Sequence, residues 1–158
     1  MSLTLGKAQA VITGAHERAG KLGTRVTVAI VDEGGLLQAL GRMDGAPPLS
    51  AQIAETKAAS TALFHRDGAS LRQMQETWPA FFDQVGRIAR VPLLAGAGSL
   101  LIRREDAILG AVAVSGGLPE QDDECAEAGL AALPPSPSDV LRQARDCPAE
   151  GCSAAAQR

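Results

Sequence analysis

Residues 25–42 read Arg-Val-Thr-Val-Ala-Ile-Val-Asp-Glu-Gly-Gly-Leu-Leu-Gln-Ala-Leu-Gly-Arg, and this stretch decides the fold. Its first part, Arg25–Asp32, is rich in β-branched residues, which favour a strand. Glu33-Gly34-Gly35 interrupts the apolar run, because adjacent glycines let the backbone turn sharply. A second apolar run, Leu36–Leu40, follows at once. The pattern therefore predicts a β-hairpin over residues 25–42.

A second hairpin is predicted nearer the C-terminus, from the apolar runs Ser99–Arg103 and Ile108–Ser115 and the short link between them. Elsewhere apolar residues recur every three or four positions, the spacing of a helix. The predicted helices are Leu5–Leu22, with Thr4 as N-cap and Gly23 as C-terminal stop, residues 50–65, Leu71–Thr77 and Pro119–Leu133. Hairpins separated by helical segments predict an α+β domain, an antiparallel sheet of two hairpins covered by helices.

Size and charge limit the classes of function. The chain has 158 residues, which suits one domain. Its 15 Lys and Arg against 18 Asp and Glu give a net charge of −3, and no basic block is present to bind nucleic acid. No apolar run is long enough to span a bilayer, and no charged segment followed by an apolar one opens the chain as in a secretory leader. We expect a cytoplasmic protein that binds neither nucleic acid nor membranes.

The composition changes after Leu133. Residues 134–158 are rich in Pro, Ser and Ala, which predicts a mobile C-terminal extension after a domain over residues 1–133. Cys147 and Cys152 lie in this extension, and Cys125 lies in the last predicted helix. No second Cys/His pair completes four zinc ligands, so we expect free thiols and no metal site.

Ser115-Gly116-Gly117 lies between a predicted strand and a helix N-terminus. Backbone N–H groups there, next to the positive end of the helix, would attract a carboxylate or phosphate. The same glycines would also serve a tight turn that needs positive φ, and the sequence leaves both interpretations open.

Individual polar residues add further candidates. His16 lies at the edge of the apolar stripe of the first helix, and imidazole is a common ligand of haem iron. His65 is more typical of a helix C-terminus. Lys57 lies on the Ala-rich side of its helix, so its amine either extends to water or turns toward an anion in a cleft. The charged candidates near the first hairpin are the carboxylates of Asp32, Glu33 and Asp44 and the guanidinium of Arg42.

Four stretches match a known family in order and spacing: residues 28–35 (VAIVDEGG), 42–46 (RMDGA), 53–58 (IAETKA) and 110–122 (GAVAVSGGLPEQD). Together they resemble the GlcG/HbpS-like family of haem-binding or haem-degrading proteins, over about residues 3–133. The resemblance implies an α+β domain that assembles into a homodimer or larger homo-oligomer. Some members bind haem through a histidine of the first helix, and His16 stands at a compatible place. The chain departs from the family at Leu36, where a histidine is common, and in the loops at residues 65–68 and 94–100.

Two functional hypotheses follow. The first is a small-molecule-binding homo-oligomer that takes haem or another tetrapyrrole, with His16, Arg42, Ser115, Gly116 and Gly117 as cofactor-binding residues. The alternative is an isomerase, lyase or hydrolase that moves a proton on a small carboxylated metabolite. Lys57 or Arg42 would then bind the carboxylate, and Asp32 or Asp44 would act as base. Both hypotheses require a crevice where Gly116 and Gly117 face Lys57 and the first helix. A purely structural subunit is a third interpretation.

Overall fold

The computed structural model of the protein describes residues 3–135. Its elements in chain order are α1 (Leu5–Leu22), β1 (Thr27–Asp32), β2 (Leu37–Arg42), α2 (Ser50–Phe64), α3 (Gly68–Thr77), α4 (Pro79–Ile88), β3 (Ser99–Arg104), β4 (Ala107–Ser115) and α5 (Pro119–Ala131). Most of the predicted extension, including Cys147 and Cys152, lies outside the described residues. Cys125 is a buried free thiol in α5. None of the helices within residues 3–135 is both long and apolar enough to cross a membrane.

The four strands form one antiparallel sheet in the order β2-β1-β4-β3. Each predicted hairpin is present, and the two join through β1 and β4, which pair from Thr27 opposite Ser115 to Asp32 opposite Gly110. The predicted α+β fold, a sheet of two hairpins covered by helices, is confirmed.

Helices cover both faces of this sheet. On one face α1 and α5 pack on Val28, Ile30, Val112 and their neighbours, through Ala8, Val11, Ala15, Cys125 and Ala126. The two helices approach closely because Gly14 has no side chain, and a Cβ there would lie 2.6 Å from that of Ala132.

Alanine dominates the other face of the sheet. Here α2 packs through Ala54, Ala58 and Ala62, and the sheet presents Ala29, Ala111, Ala113 and Val31, all fully buried. Because the side chains of α2 and of the sheet are small here, the helix axis must lie close to the sheet for the core to reach the usual density of protein interiors.

The ends of the helices follow from local chemistry. Thr4 caps α1 through the Lys7 N–H, and Gly23 ends it with φ 69°, both as predicted. His65 ends α2 with φ 54°, in agreement with its predicted place at a helix C-terminus.

Two helices differ from the prediction. α3 begins at Gly68 rather than Leu71, and α4 was not predicted. α4 begins with Pro79 in its first turn, where a missing N–H costs nothing. Its buried Phe82 stacks on Phe64, with ring centroids 5.8 Å apart. This contact attaches the α3–α4 pair to the C-terminal end of α2.

Candidate functional site

Lys57 is buried on α2, beside the loop that precedes β3 and the first turn of α5. Its side chain is 7% exposed, and the Nζ atom donates to the Ala97 carbonyl at 2.5 Å and lies 3.7 Å from Asp122 Oδ2. Gly96 makes this path available, because a Cβ there would lie 3.0 Å from Lys57 Cδ. Lys57 therefore turns inward rather than extending to water, and it reaches a helix that packs on the opposite face of the sheet.

Asp122 also accepts a hydrogen bond from the backbone just before the N-terminus of α5. Its Oδ1 accepts from the Gly117 N–H at 3.0 Å, and Gln121 Oε1 accepts from the Leu118 N–H at 2.9 Å. Of the amides expected to bind an external anion, that of Gly117 is thus hydrogen-bonded to a side chain of α5, as is the N–H of the adjacent Leu118. Gly116 has φ 130°, and a Cβ there would lie 2.5 Å from Arg25 O, so the tight-turn interpretation accounts for this glycine.

The ionisation of both groups is perturbed. Burial lowers the pKa of Lys57 below its ordinary value of 10.5, and the nearby carboxylates of Asp122 and Asp123 oppose this shift. Burial raises the pKa of Asp122 above its ordinary 3.8, against the influence of Lys57 and of the Gly117 N–H. The cause is the same for both, because a charge loses favourable hydration when its side chain leaves water.

The contacts of Lys57 differ from those expected for proton transfer. The carboxylate beside it is Asp122, which is not among the site residues predicted from the sequence. Asp32 Oδ1 instead accepts from Gly34 N and Leu36 N, both at 2.9 Å, and so fixes the β1–β2 turn. Asp44 lies exposed in the loop after β2. The catalytic roles of Lys57, Asp32 and Asp44 stay predictions, and no described contact brings the three together.

His16 lies against the edge strand. Its Nε2 is 3.0 Å from Gly41 O, and the side chain is half-buried between α1 and β2. A carbonyl oxygen only accepts, so Nε2 carries the proton and donates. A Cβ on Gly41 would lie 2.8 Å from His16 Cε1, so only glycine leaves room for the imidazole.

Arg42 and His16 are on different sides of β2. Arg42 pairs with Thr27, whose hydroxyl is 2.7 Å from that of Ser50 at the start of α2. Side chains alternate along a strand, so Arg42 projects on the α2 side and His16 contacts the α1 side. Ser115 is buried opposite Thr27 in β4. The structure therefore places Arg42 and His16 on different sides of β2, whereas Gly117 and Lys57 both contact Asp122.

A groove lies on the α2 side of β2. Its volume is about 410 Å³, and Leu36, Leu37, Glu55, Thr56 and Val91 are among the residues that line it. Within residues 3–135, no group of three or more His, Cys, Asp or Glu side chains is arranged to hold a metal ion.

The sheet and the helices on its two faces define a small α+β protein of a class known from solved structures. The PduOC:haem complex superposes with a TM-score of 0.76 at 25% identity, over 84% of this chain and 96% of that one. A double mutant of HbpS from Streptomyces reticuli superposes with a TM-score of 0.76 at 29% identity, over 85% and 89% of the two chains.

The family model described as "Haem degrading protein HbpS-like" matches residues 3–131, and the chain belongs to this family. Protein GlcG of Escherichia coli (strain K12) is 36% identical over 111 residues, which are 68% of this chain and 77% of GlcG. The resemblance drawn from the four sequence stretches is thus confirmed.

Proposed function

We propose that this protein binds haem or a related tetrapyrrole, with Nδ1 of His16 as the iron ligand. The observation that carries the proposal is the hydrogen bond from His16 Nε2 to Gly41 O at 3.0 Å. With the proton held on Nε2, Nδ1 keeps the lone pair that a metal requires. Histidines that ligate metals commonly donate their other ring N–H to a backbone carbonyl, which fixes the tautomer and the ring orientation.

The surroundings of His16 suit an apolar ring. Ile12 and Leu5 precede His16 by one and three helical turns and share its side of α1. Leu5 is 53% exposed, and Ile12 packs at the edge of the core. His16 would hold and orient the group from this side of β2, and the bound iron would supply redox chemistry.

Comparison with relatives supports a small-molecule ligand. The family model names haem degradation, and the structural neighbour PduOC was solved with haem. The cytoplasmic setting stays a prediction, and so does the enzyme alternative. For the enzyme alternative, the Lys57 amine already contacts the Ala97 carbonyl and Asp122.

The test uses the two histidines of the chain as a matched pair. Hemin titration of the full-length protein should give a Soret shift that is lost, or weakened at least about tenfold in affinity, in His16→Ala. His65→Asn is the control, because His65 is exposed and Asn tolerates its positive φ of 54°. An unchanged Soret spectrum in His16→Ala, or no shift in the unmodified protein, would overturn the proposal.

A further inference from the structure

A pocket opens along one side of α3, and we call it the α3 pocket. Its volume is about 240 Å³, and it is lined by four residues of α3 and by one residue on either side of that helix: Arg66, Ser70, Gln73, Met74, Thr77 and Trp78. The four positions in α3 are three or four residues apart, so their side chains form one stripe along the helix. The lining residues take no part in the contacts of His16, Lys57 or Asp122 described above.

Arg66 supplies the charge of the α3 pocket. Its side chain is exposed, and none of the ion pairs within residues 3–135 involves it. Its Nη1 donates to Ser70 Oγ at the long distance of 3.4 Å. Arg87, in the neighbouring groove on α4, is instead paired with Asp83 at 2.9 Å. Because none of the six lining residues is acidic, the planar guanidinium of Arg66 is available to a carboxylate from solution.

The start of α3 favours an anion at the same end of the pocket. Ser70 lies in the first turn of α3, where the helix dipole is positive and backbone N–H groups lack partners within the helix. Asp67 occupies the N-cap position, but its side chain does not cap the helix, because Oδ1 accepts from the Leu101 N–H at 2.8 Å. A carboxylate beside Arg66 and Ser70 would therefore be stabilised by the guanidinium and by the end of the helix.

Trp78 lies at the other end of the pocket. Its side chain is 58% exposed, although tryptophan is on average among the well-covered residues of proteins. Trp78 N donates to Met74 O at 2.8 Å, which holds the residue at the end of α3. Met74 is buried and adds an apolar thioether to the lining. An exposed indole beside this apolar surface suits a flat ring, which can stack on the indole face.

We propose that the α3 pocket binds a small aromatic carboxylate, with the carboxylate at Arg66 and Ser70 and the ring at Trp78. Gln73 and Thr77 lie between these ends, and their side chains would hydrogen-bond polar substituents of the ring. The volume of about 240 Å³ is below the range of about 300–1,000 Å³ typical for drug-sized ligands, so the ligand is compact and is not a tetrapyrrole. The pocket is therefore a second site, separate from that of the haem proposal.

Intrinsic fluorescence tests the ligand class. Trp78 is the only tryptophan of the chain, which has no tyrosine, so tryptophan emission reports on this pocket. Titration of the full chain with benzoate should change the emission of Trp78 saturably. Benzamide has the ring without the charge, and cyclohexanecarboxylate has the charge without the aromatic ring, so each should bind at least about tenfold more weakly. No saturable response to benzoate, or an affinity for either analogue equal to that for benzoate, overturns the proposal.

Substitutions test the two ends of the pocket. By isothermal titration calorimetry, Arg66→Gln and Trp78→Leu should each weaken benzoate binding at least about tenfold. Arg87→Gln is the control, because Arg87 is 78% exposed and lies outside the α3 pocket. Circular dichroism establishes that each variant folds, and the exposed position of Arg66 makes Arg66→Gln the least disruptive of them. Hemin titration of Arg66→Gln should match that of the unmodified protein, and a loss there would overturn the separation of the two sites. Unchanged benzoate affinity in Arg66→Gln, or an equal loss in Arg87→Gln, would overturn the assignment of the carboxylate to Arg66.

Discussion

Lys57 Nζ and Asp122 Oδ2 lie 3.7 Å apart, with 7% and 8% of the two side chains exposed. One residue belongs to the helix on one face of the sheet, and the other belongs to a helix on the opposite face. Compared with apolar residues in the same places, a buried pair of this kind contributes little net stability. A buried charge left without its partner, however, is strongly destabilising. The pair therefore couples the positions of α2 and α5.

Removal of one partner should be costly. We expect Lys57→Met to lower the free energy of unfolding by about 3–5 kcal/mol, because Asp122 is left buried without a counter-charge. Lys57→Met combined with Asp122→Asn should recover much of the loss, since Asn keeps an acceptor for the Gly117 N–H. Urea unfolding measures both. Arg72→Ala is the control, because the Arg72–Glu76 pair is 60% and 65% exposed and should contribute less than about 1 kcal/mol. A neutral effect of Lys57→Met would contradict this account.

The same pair should give stability an unusual dependence on pH. Above pH 3.8, and up to the raised pKa of Asp122, the folded protein keeps a proton that the unfolded chain has released, so stability falls as pH rises. Between the lowered pKa of Lys57 and 10.5, the unfolded chain keeps the proton and stability rises with pH. The unfolding free energy of the unmodified protein minus that of the double variant should therefore pass through a minimum. The minimum should lie at pH values between the raised pKa of Asp122 and the lowered pKa of Lys57. Urea unfolding at a series of pH values measures it, and a flat difference would refute the prediction.

Gly41→Ala should displace His16. A Cβ at Gly41 would lie 2.7 Å from Ile12 Cγ2 and 2.8 Å from His16 Cε1, distances that require the ring or the helix to move. We expect a loss of about 1–3 kcal/mol from overpacking, together with weaker hemin binding. Gly86→Ala in α4 is the matched control, because nothing lies within 4 Å of its Cβ position. It should stabilise the protein by about 0.5–1 kcal/mol. Equal effects of the two substitutions would speak against the close contact.

The N-cap of α1 offers a local test. Thr4 Oγ1 accepts from the Lys7 N–H at 3.3 Å, and Thr4→Ala removes this acceptor. We expect a loss of about 1 kcal/mol in unfolding free energy, whereas Thr4→Ser should keep most of it. Thermal unfolding of the two variants side by side measures the difference. If Thr4→Ser proved as unstable as Thr4→Ala, the cap would not be the cause.

Local signals predicted most of the fold. Thr4 and Gly23 fixed the ends of α1, and the glycines after Asp32 separated β1 from β2, since caps and turns depend on neighbouring residues alone. α4 was missed although Phe81, Val85 and Ile88 recur at helical spacing and form one apolar stripe. Phe82 beside this stripe is buried, while Phe81 and Ile88 are exposed.

The site depends on contacts that periodicity does not reveal. Lys57 was selected as a candidate, but its partner is 65 positions away in the chain, at a distance that no local pattern encodes. The only signal for Asp122 was an acidic residue in the first turn of a helix after two glycines, which also suits an ordinary helix start. Gly41 is similar, because its need for glycine appears only when His16 packs on β2.

The alanine layer between α2 and the sheet has a consequence for how this protein can take up a guest molecule. In this layer every side chain is fully buried, and the alanines of α2 (Ala54, Ala58 and Ala62) pack on those of the sheet (Ala29, Ala111 and Ala113). None of these alanines could open a cavity by changing its rotamer. A ring as broad as a porphyrin could enter this layer only if α2 moved away from the sheet. Under the haem proposal, the ligand therefore binds at the edge of the sheet, where His16 contacts β2.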